Sequence, residues 1–358
     1  MTSPRESASP VSLLALATAV PPHILHQDDV ARRASEIYAP MLAQHPTLID
    51  VFAHSGIARR FAACPLSWYE QSHGWEDRNA AYLAGASALY EHVARAALRG
   101  AGISPRDVDA VVTVSSTGIA TPSLEARLAP RLGLRADVSR VPVFGLGCAG
   151  GVSGLSLAAS LARARPGAIV LFVTVELCTL AFRRDRLDKA SLVATALFGD
   201  GAAAAVLRAG ENAAGRARIG GGREHQWPDT LNIMGWSIDP VGFGVILSAD
   251  LPRFIEQRLA EPAGKFLAAA GLEGRGPRFV CHPGGAKVLK AIERALGLDP
   301  GALEDERAVL RDFGNMSAPT VLFVLERVLA RGGRGPAVLA ALGPGFTASF
   351  LALEAGDG

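Results

Sequence analysis

The chain is poor in cysteine, in aromatic residues and in charge. Its four cysteines, Cys64, Cys148, Cys178 and Cys281, lie far apart among 358 residues, and none stands in a C-x-x-C pair. That spacing argues against a disulfide framework and against the common zinc or redox ligand sets, so no metal site is expected and a reducing cytoplasm fits. Charged residues make up 20% of the chain and the formal net charge is +2. Basic residues are scattered instead of forming a stripe, which excludes nucleic acid as an expected partner. The pairs Arg59-Arg60 and Arg183-Arg184 could receive phosphate, although such pairs are more often solvated surface. Long hydrophobic runs are also missing: the apolar stretch 11–20 is cut by Pro21-Pro22 and preceded by a polar segment. Neither a signal peptide nor an integral membrane segment is therefore expected.

What the chain does have is apolar material. Hydrophobic residues reach 49%, enough for an extensive core and far from a disordered composition. Their pattern repeats. In the first half, strand-like 108–115 leads through a Gly/Thr/Pro loop to a helix pattern at 124–132, then strand 141–144, a turn at Cys148, helix 152–164, and strands 168–175 and 202–207. The second half repeats the series with strand 278–281, helix 286–296, segment 308–313, a turn at Asn315, helix 319–330, and strands 337–342 and 348–353. Strands alternating with helices predict an α/β fold with a mainly parallel sheet covered on both faces. The halves are placed at residues 1–210 and 211–358, with a Gly-rich seam at 209–222 and an insertion containing strand 242–247 and one amphipathic helix over about 250–270.

The repeat puts three chemistry-bearing residues at equivalent turns. Cys148 follows a strand, sits among Gly145, Gly147, Gly150 and Gly151, and opens a helix whose unpaired N–H groups would favour thiolate. A free cysteine is otherwise most often a small buried hydrophobe. His282, before Pro-Gly-Gly, ends a strand, and Asn315 stands at a helix start where Asn is also a common cap. A Cys–His pair supports acyl transfer, and His with an Asn amide can form an oxyanion hole. Residue types alone leave open a cysteine hydrolase, a decarboxylating condensing enzyme and a non-catalytic scaffold.

The motifs Gly145-Leu-Gly-Cys148-Ala-Gly, Leu197-Phe-Gly-Asp-Gly201, His282-Pro-Gly-Gly285, Gly314-Asn-Met-Ser317 and Leu342-Gly-Pro-Gly-Phe346 run in order through nearly the whole chain. In these the sequence resembles the type III polyketide synthases, the chalcone-synthase-like branch of the thiolase superfamily. The resemblance implies a duplicated thiolase-like α/β fold in five αβαβα layers, assembled as a homodimer. It implies that Cys148 carries the acyl chain as a thioester, while His282 and Asn315 bind the malonyl-CoA carbonyl and stabilise the enolate left by decarboxylation. CoA thioesters would be substrates and no separate cofactor is implied. Phe198 would be the gatekeeper between CoA tunnel and cavity, Gly343, Pro344 and Gly345 would shape the cavity floor, and Ser116 and Thr121 would contact substrate. Asp200 and Glu176 read as holding turns and strands.

Departures from the plant pattern point to the substrate. A second gatekeeper position falls at Val245, and cavity positions fall at Cys178, Ala181 and Ala194. Small apolar walls make room for an alkyl chain, each buried methylene adding about 0.8 kcal/mol. With the segments 73–79 and 234–244, this resembles bacterial alkylresorcinol and alkylpyrone synthases and implies a long-chain fatty acyl starter. A short or aromatic starter is the alternative. Where the family supplies lysine and arginine for CoA phosphates, this chain has Asp50 and His54, so an acyl carrier protein could deliver the starter instead.

Overall fold

Period-two alternation along the strands sorts the apolar side chains into three layers. The computed structural model describes residues 10–210 and 215–356; the expected boundary between halves abuts 211–214, and that stretch and the polar start at 1–9 lie outside the described residues. The strands are β1 (Val11–Ala19), β2 (His23–His26), β3 (Arg59–Ala62), β4 (Ala110–Val114), β5 (Ser139–Val143), β6 (Ile169–Leu177), β7 (Asp200–Ala209), β8 (Ala217–Gln226), β9 (Met234–Asp239), β10 (Gly242–Leu247), β11 (Arg278–Cys281), β12 (Gly335–Gly343) and β13 (Thr347–Ala355). The helices of eight residues or more are α1 (Gln27–Ile37), α2 (Trp75–Ala101), α3 (Leu124–Leu132), α4 (Gly150–Arg163), α5 (Lys189–Leu197), α6 (Leu251–Arg258), α7 (Ala260–Ala269), α8 (Ala286–Leu296), α9 (Glu304–Phe313) and α10 (Thr320–Ala330).

On β7, Ala203, Ala205 and Leu207 face a central apolar layer and Ala202, Ala204 and Val206 an outer one. On β12, Ala337, Leu339 and Ala341 face the same central layer and Val338, Ala340 and Leu342 a second outer one. Helices α4 and α10 fill the centre, α2 and α3 cover one outer face, and α6, α7 and α8 cover the other. Helix, sheet, helix, sheet and helix make five layers, as expected of a thiolase-like fold. The central helices lie very close: a Cβ on Gly151 would stand 2.2 Å from the Ala318 carbonyl oxygen. That approach sets the Cys148 turn against the Asn315 turn.

The two sheet layers are joined through the short β1/β8 pairing into one nine-stranded order, β11-β12-β13-β8-β1-β7-β6-β4-β5, and it is mixed instead of mainly parallel. Only β4/β5, β4/β6 and β11/β12 pair in parallel. The tight connection from β12 to β13 can join only antiparallel neighbours, and β7 likewise returns beside β6. The expected seam at 209–222 includes most of β8, which pairs with β1 and β13. The internal repeat also breaks at one element: strand β5 leads to Cys148, but helix α9 leads to Asn315. The helix expected over 250–270 is two helices, α6 and α7. Pro262 has no N–H for the Arg258 carbonyl, so the ladder is interrupted at the junction. Among the described residues no helix is long and apolar enough to cross a membrane.

Candidate active site

Three loops meet at the end of the central layer. Cys148 lies in a 3-10 turn (Gly147–Ala149) that runs into α4, and it is buried. Its Sγ is 3.9 Å from Asn315 Oδ1. The same Oδ1 accepts from the Ser317 amide at 2.8 Å, while Asn315 Nδ2 donates to the Gly284 carbonyl at 3.2 Å. These bonds fix the amide orientation and tie the Asn turn to the His282-Pro-Gly-Gly loop. Asn315 is no helix cap, since α10 begins at Thr320. Its backbone is held by Leu197, whose carbonyl accepts the Asn315 amide at 2.8 Å. Ser317, at φ 59°, is one of two described non-glycine residues in the left-handed region, a strained conformation of the kind that gathers at functional sites.

His282 is placed by its backbone, whose N–H donates to the Ala340 carbonyl at 2.8 Å. The imidazole is buried and neither ring nitrogen has a partner. Burial pulls its pKa down to about 3, so the ring is neutral at ordinary pH. Burial also pushes the Cys148 thiol up to about 11, against the hydrogen bond from Ser317, and nearby Glu176 adds to the rise. Desolvation thus opposes the thiolate expected from the helix start, and at His282 burial favours the neutral imidazole. A neutral imidazole offers one N–H donor and one acceptor, and Asn315 Nδ2 keeps a second hydrogen. The arrangement therefore provides a nucleophile beside two neutral donors, with a proton acceptor within the same pocket.

Ser116 and Glu176 brace the Cys148 loop. Glu176, fully buried, accepts from the Ser116 amide at 2.9 Å and from Thr117 Oγ1 at 2.8 Å. Ser116 Oγ accepts from the Gly145 amide at 3.0 Å, and its carbonyl accepts from Trp236 Nε1 at 2.9 Å. Desolvation raises Glu176 to about 8. Asp200 has the parallel task of accepting from Ala63 and Thr179 amides, each at 2.8 Å. Both carboxyl groups hold strand ends together.

A chamber of about 570 Å³ surrounds the three loops, within the usual range for ligand sites. Cys148, His282, Asn315, Ser116, Phe198, Cys178, Val245 and Pro344 line it. Gly343 and Gly345 flank Pro344 without lining it; a Cβ on Gly343 would stand 2.6 Å from the Ala149 Cβ, so this glycine lets the floor loop pack on the Cys turn. A second, smaller cavity of about 70 Å³ adjoins, sharing Cys178, Phe198 and Val245 and adding Ala181 and Ala194. Thr121 is exposed and lines neither cavity; its loop runs past Ile119, which is tied to Asn79 by bonds of 2.8 and 3.0 Å.

The arginine pairs are also resolved. Arg60 is buried and donates to the carbonyls of Thr195 and Phe198, both at 2.7 Å, so it holds the Phe198 backbone instead of binding phosphate. Arg183 is buried against Asp185 and Asp239, and exposed Arg184 donates to the Glu70 carbonyl at 2.6 Å. Asp50 and His54 do line the chamber, joined by exposed Lys189 and Lys287 at the starts of α5 and α8. Those lysines, Trp236 and Ser317 were not singled out from sequence. Trp236 and Ser317 had a signal there, the first within the segment 234–244 and the second at the end of Gly314-Asn-Met-Ser317.

With the geometry in place, comparison with known proteins identifies the class. The chain matches the chalcone and stilbene synthase family, its N-terminal domain over residues 66–211 and its C-terminal domain over 223–355. The protein belongs to that family: it is a type III polyketide synthase, an acyltransferase that condenses malonyl-CoA and needs no cofactor beyond CoA thioester substrates. Among its relatives, it is 41% identical to a 1,3,6,8-tetrahydroxynaphthalene synthase of Streptomyces peucetius subsp. caesius, over 96% of this chain and 93% of that one. It is 31% identical to the enzyme of the same name from Streptomyces coelicolor, over 92% and 88%. A crystal structure of the tetrahydroxynaphthalene synthase of Streptomyces coelicolor A3(2) superimposes with a TM-score of 0.91 at 28% identity, covering 97% of this chain and all of that one. The family match sets aside the hydrolase and scaffold readings. These relatives are tetrahydroxynaphthalene synthases, so the finer likeness to alkylresorcinol and alkylpyrone synthases carries forward only as a proposal.

Proposed function

We propose that the protein loads a long-chain acyl starter on Cys148, extends it with malonyl-CoA and cyclises the product to an alkylpyrone or alkylresorcinol. The Cys148 sulfur attacks the starter thioester carbonyl, and the thiol proton passes through the His282 imidazole to the departing CoA. His282 and Asn315 then donate to the malonyl thioester carbonyl, stabilising the enolate as CO2 leaves. The enolate carbon attacks the Cys148 thioester, a carbon–carbon bond forms and the Cys148 sulfur is released. Phe198 gates the chamber, and Lys189 and Lys287 at its rim are placed to meet CoA phosphates.

The observation that carries the starter assignment is the small cavity past Cys178. Ala181, Ala194 and Val245 leave it open where larger side chains would fill it. The reading includes two halves at 1–210 and 211–358, a cytoplasmic location where CoA thioesters are made, and a homodimer. Edge strand β5 is followed at once by Phe144, 54% exposed, which suits a self-association surface. Delivery by an acyl carrier protein remains compatible with so open a rim.

A second reading is favoured by the Streptomyces peucetius relative: priming by malonyl-CoA itself, with tetrahydroxynaphthalene as product. Mass spectrometry of products separates them. Long-chain acyl-CoA plus malonyl-CoA is expected to yield alkylated pyrone or resorcinol. Tetrahydroxynaphthalene from malonyl-CoA alone, with acyl-CoA left unconsumed, would overturn the long-chain assignment and establish the second.

A further inference from the structure

The small cavity has an inner and an outer end. Cys178, Phe198 and Val245 line both cavities and mark the inner end. Of all the residues lining it, only Arg33 on α1 and Glu70, just past the short helix Leu66–Tyr69, are exposed. They mark the outer end, and their side chains form an ion pair of 3.2 Å. Between the ends the wall is mostly apolar, with Val30, Ala34, Ile37, Leu66 and Phe182.

We infer that the Arg33–Glu70 ion pair is the stopper of the acyl cavity and sets the longest starter that gains from it. The inference rests on the acyl-starter reading above. An exposed pair changes an equilibrium by at most about fivefold, while each newly buried methylene contributes roughly fourfold. One or two methylenes are thus enough to displace it, so the stopper is soft. Methylenes beyond it meet charge and water and gain nothing, which makes the preference level off at that length.

The test is a ladder of saturated acyl-CoA starters, from hexanoyl to eicosanoyl at every length, with kcat/KM measured for each. Wild type is expected to rise with length and then level off. Arg33→Leu and Glu70→Leu should extend the rise by one or two methylenes, roughly fourfold each, with the hexanoyl rate unchanged. The swap of Arg33→Glu with Glu70→Arg should restore the original plateau. Ala181→Phe, deeper in the cavity, is the control and should cut long starters. If it does so while both leucine variants keep the wild-type plateau, the stopper falls and the acyl cavity stands. A swap that keeps the extended plateau also overturns the pair as stopper. If Ala181→Phe leaves the profile unchanged, the acyl reading falls as well.

Discussion

The two adjoining cavities differ in what a single side chain controls. In the chamber, Cys148, His282 and Asn315 are buried polar groups on three loops, and the proposed reaction uses one atom or group of each. In the small cavity the wall is set by how little side chain stands at Ala181, Ala194 and Val245. Chemistry on one side and volume on the other share one boundary, Cys178, Phe198 and Val245. Reaction and starter preference should therefore be separable by mutation.

The largest effect is expected from Cys148→Ala. Starter loading, read as a mass increase on the protein, should vanish, and product should fall by more than roughly a thousandfold for every starter. Normal product from this variant would remove the central assignment. His282→Ala or Asn315→Ala should each slow CO2 release from malonyl-CoA by about a hundredfold to a thousandfold, as loss of an oxyanion donor does. Because Asn315 also holds Gly284, its Tm should be measured alongside. Ala181→Phe or Cys178→Phe should cost long starters about tenfold or more while a short starter is hardly affected. An equal loss for both lengths would erase the distinction between the cavities.

Smaller effects separate the two regions by pH and salt. The Glu176 carboxyl binds its proton more tightly in the folded protein, at about 8, than when unfolded. Its contribution to stability is therefore present at low pH and lost as pH rises from the ordinary carboxylate range through 8. Glu176→Gln should flatten the fall of Tm over that window, while Ala181→Phe should keep the wild-type slope. An unchanged slope in Glu176→Gln would mean another group dominates. Lys189→Ala and Lys287→Ala should raise KM for malonyl-CoA only a few-fold, less at high salt, since exposed charges are weakly coupled. No change at low salt would remove both lysines from the CoA rim.

Much of the fold was legible because its signals are local. Strand β6 is one apolar run and α8 an amphipathic repeat, so both were found near their true limits. The segment 308–313 is short and had only the repeat to guide it, and the packing of Val309 and Leu310 made it helical. Likewise, Pro262 in the middle of an amphipathic pattern was the mark of a helix junction. Cys148, His282 and Asn315 were singled out by turn chemistry and ordered motifs, and the fold brings them to one chamber. Thr121 lies outside both cavities, and sequence alone does not tell which way its loop faces. Lys189 and Lys287 were missed because surface lysines at helix starts are common, and only the position of the chamber mouth distinguishes these two.

Periodicity, turn residues and motif order were enough to give the α/β fold class and the family, and to single out Cys148, His282 and Asn315 as candidates, since each of those features is written within a few residues. How far burial opposes the Cys148 thiolate was not legible in this way, because burial depends on groups distant in sequence: Asn315, whose Oδ1 is 3.9 Å from the sulfur, lies 167 positions away. The same holds for the small cavity and its Arg33–Glu70 mouth. A void is what several elements leave unfilled once packed together, and no single stretch of sequence records it.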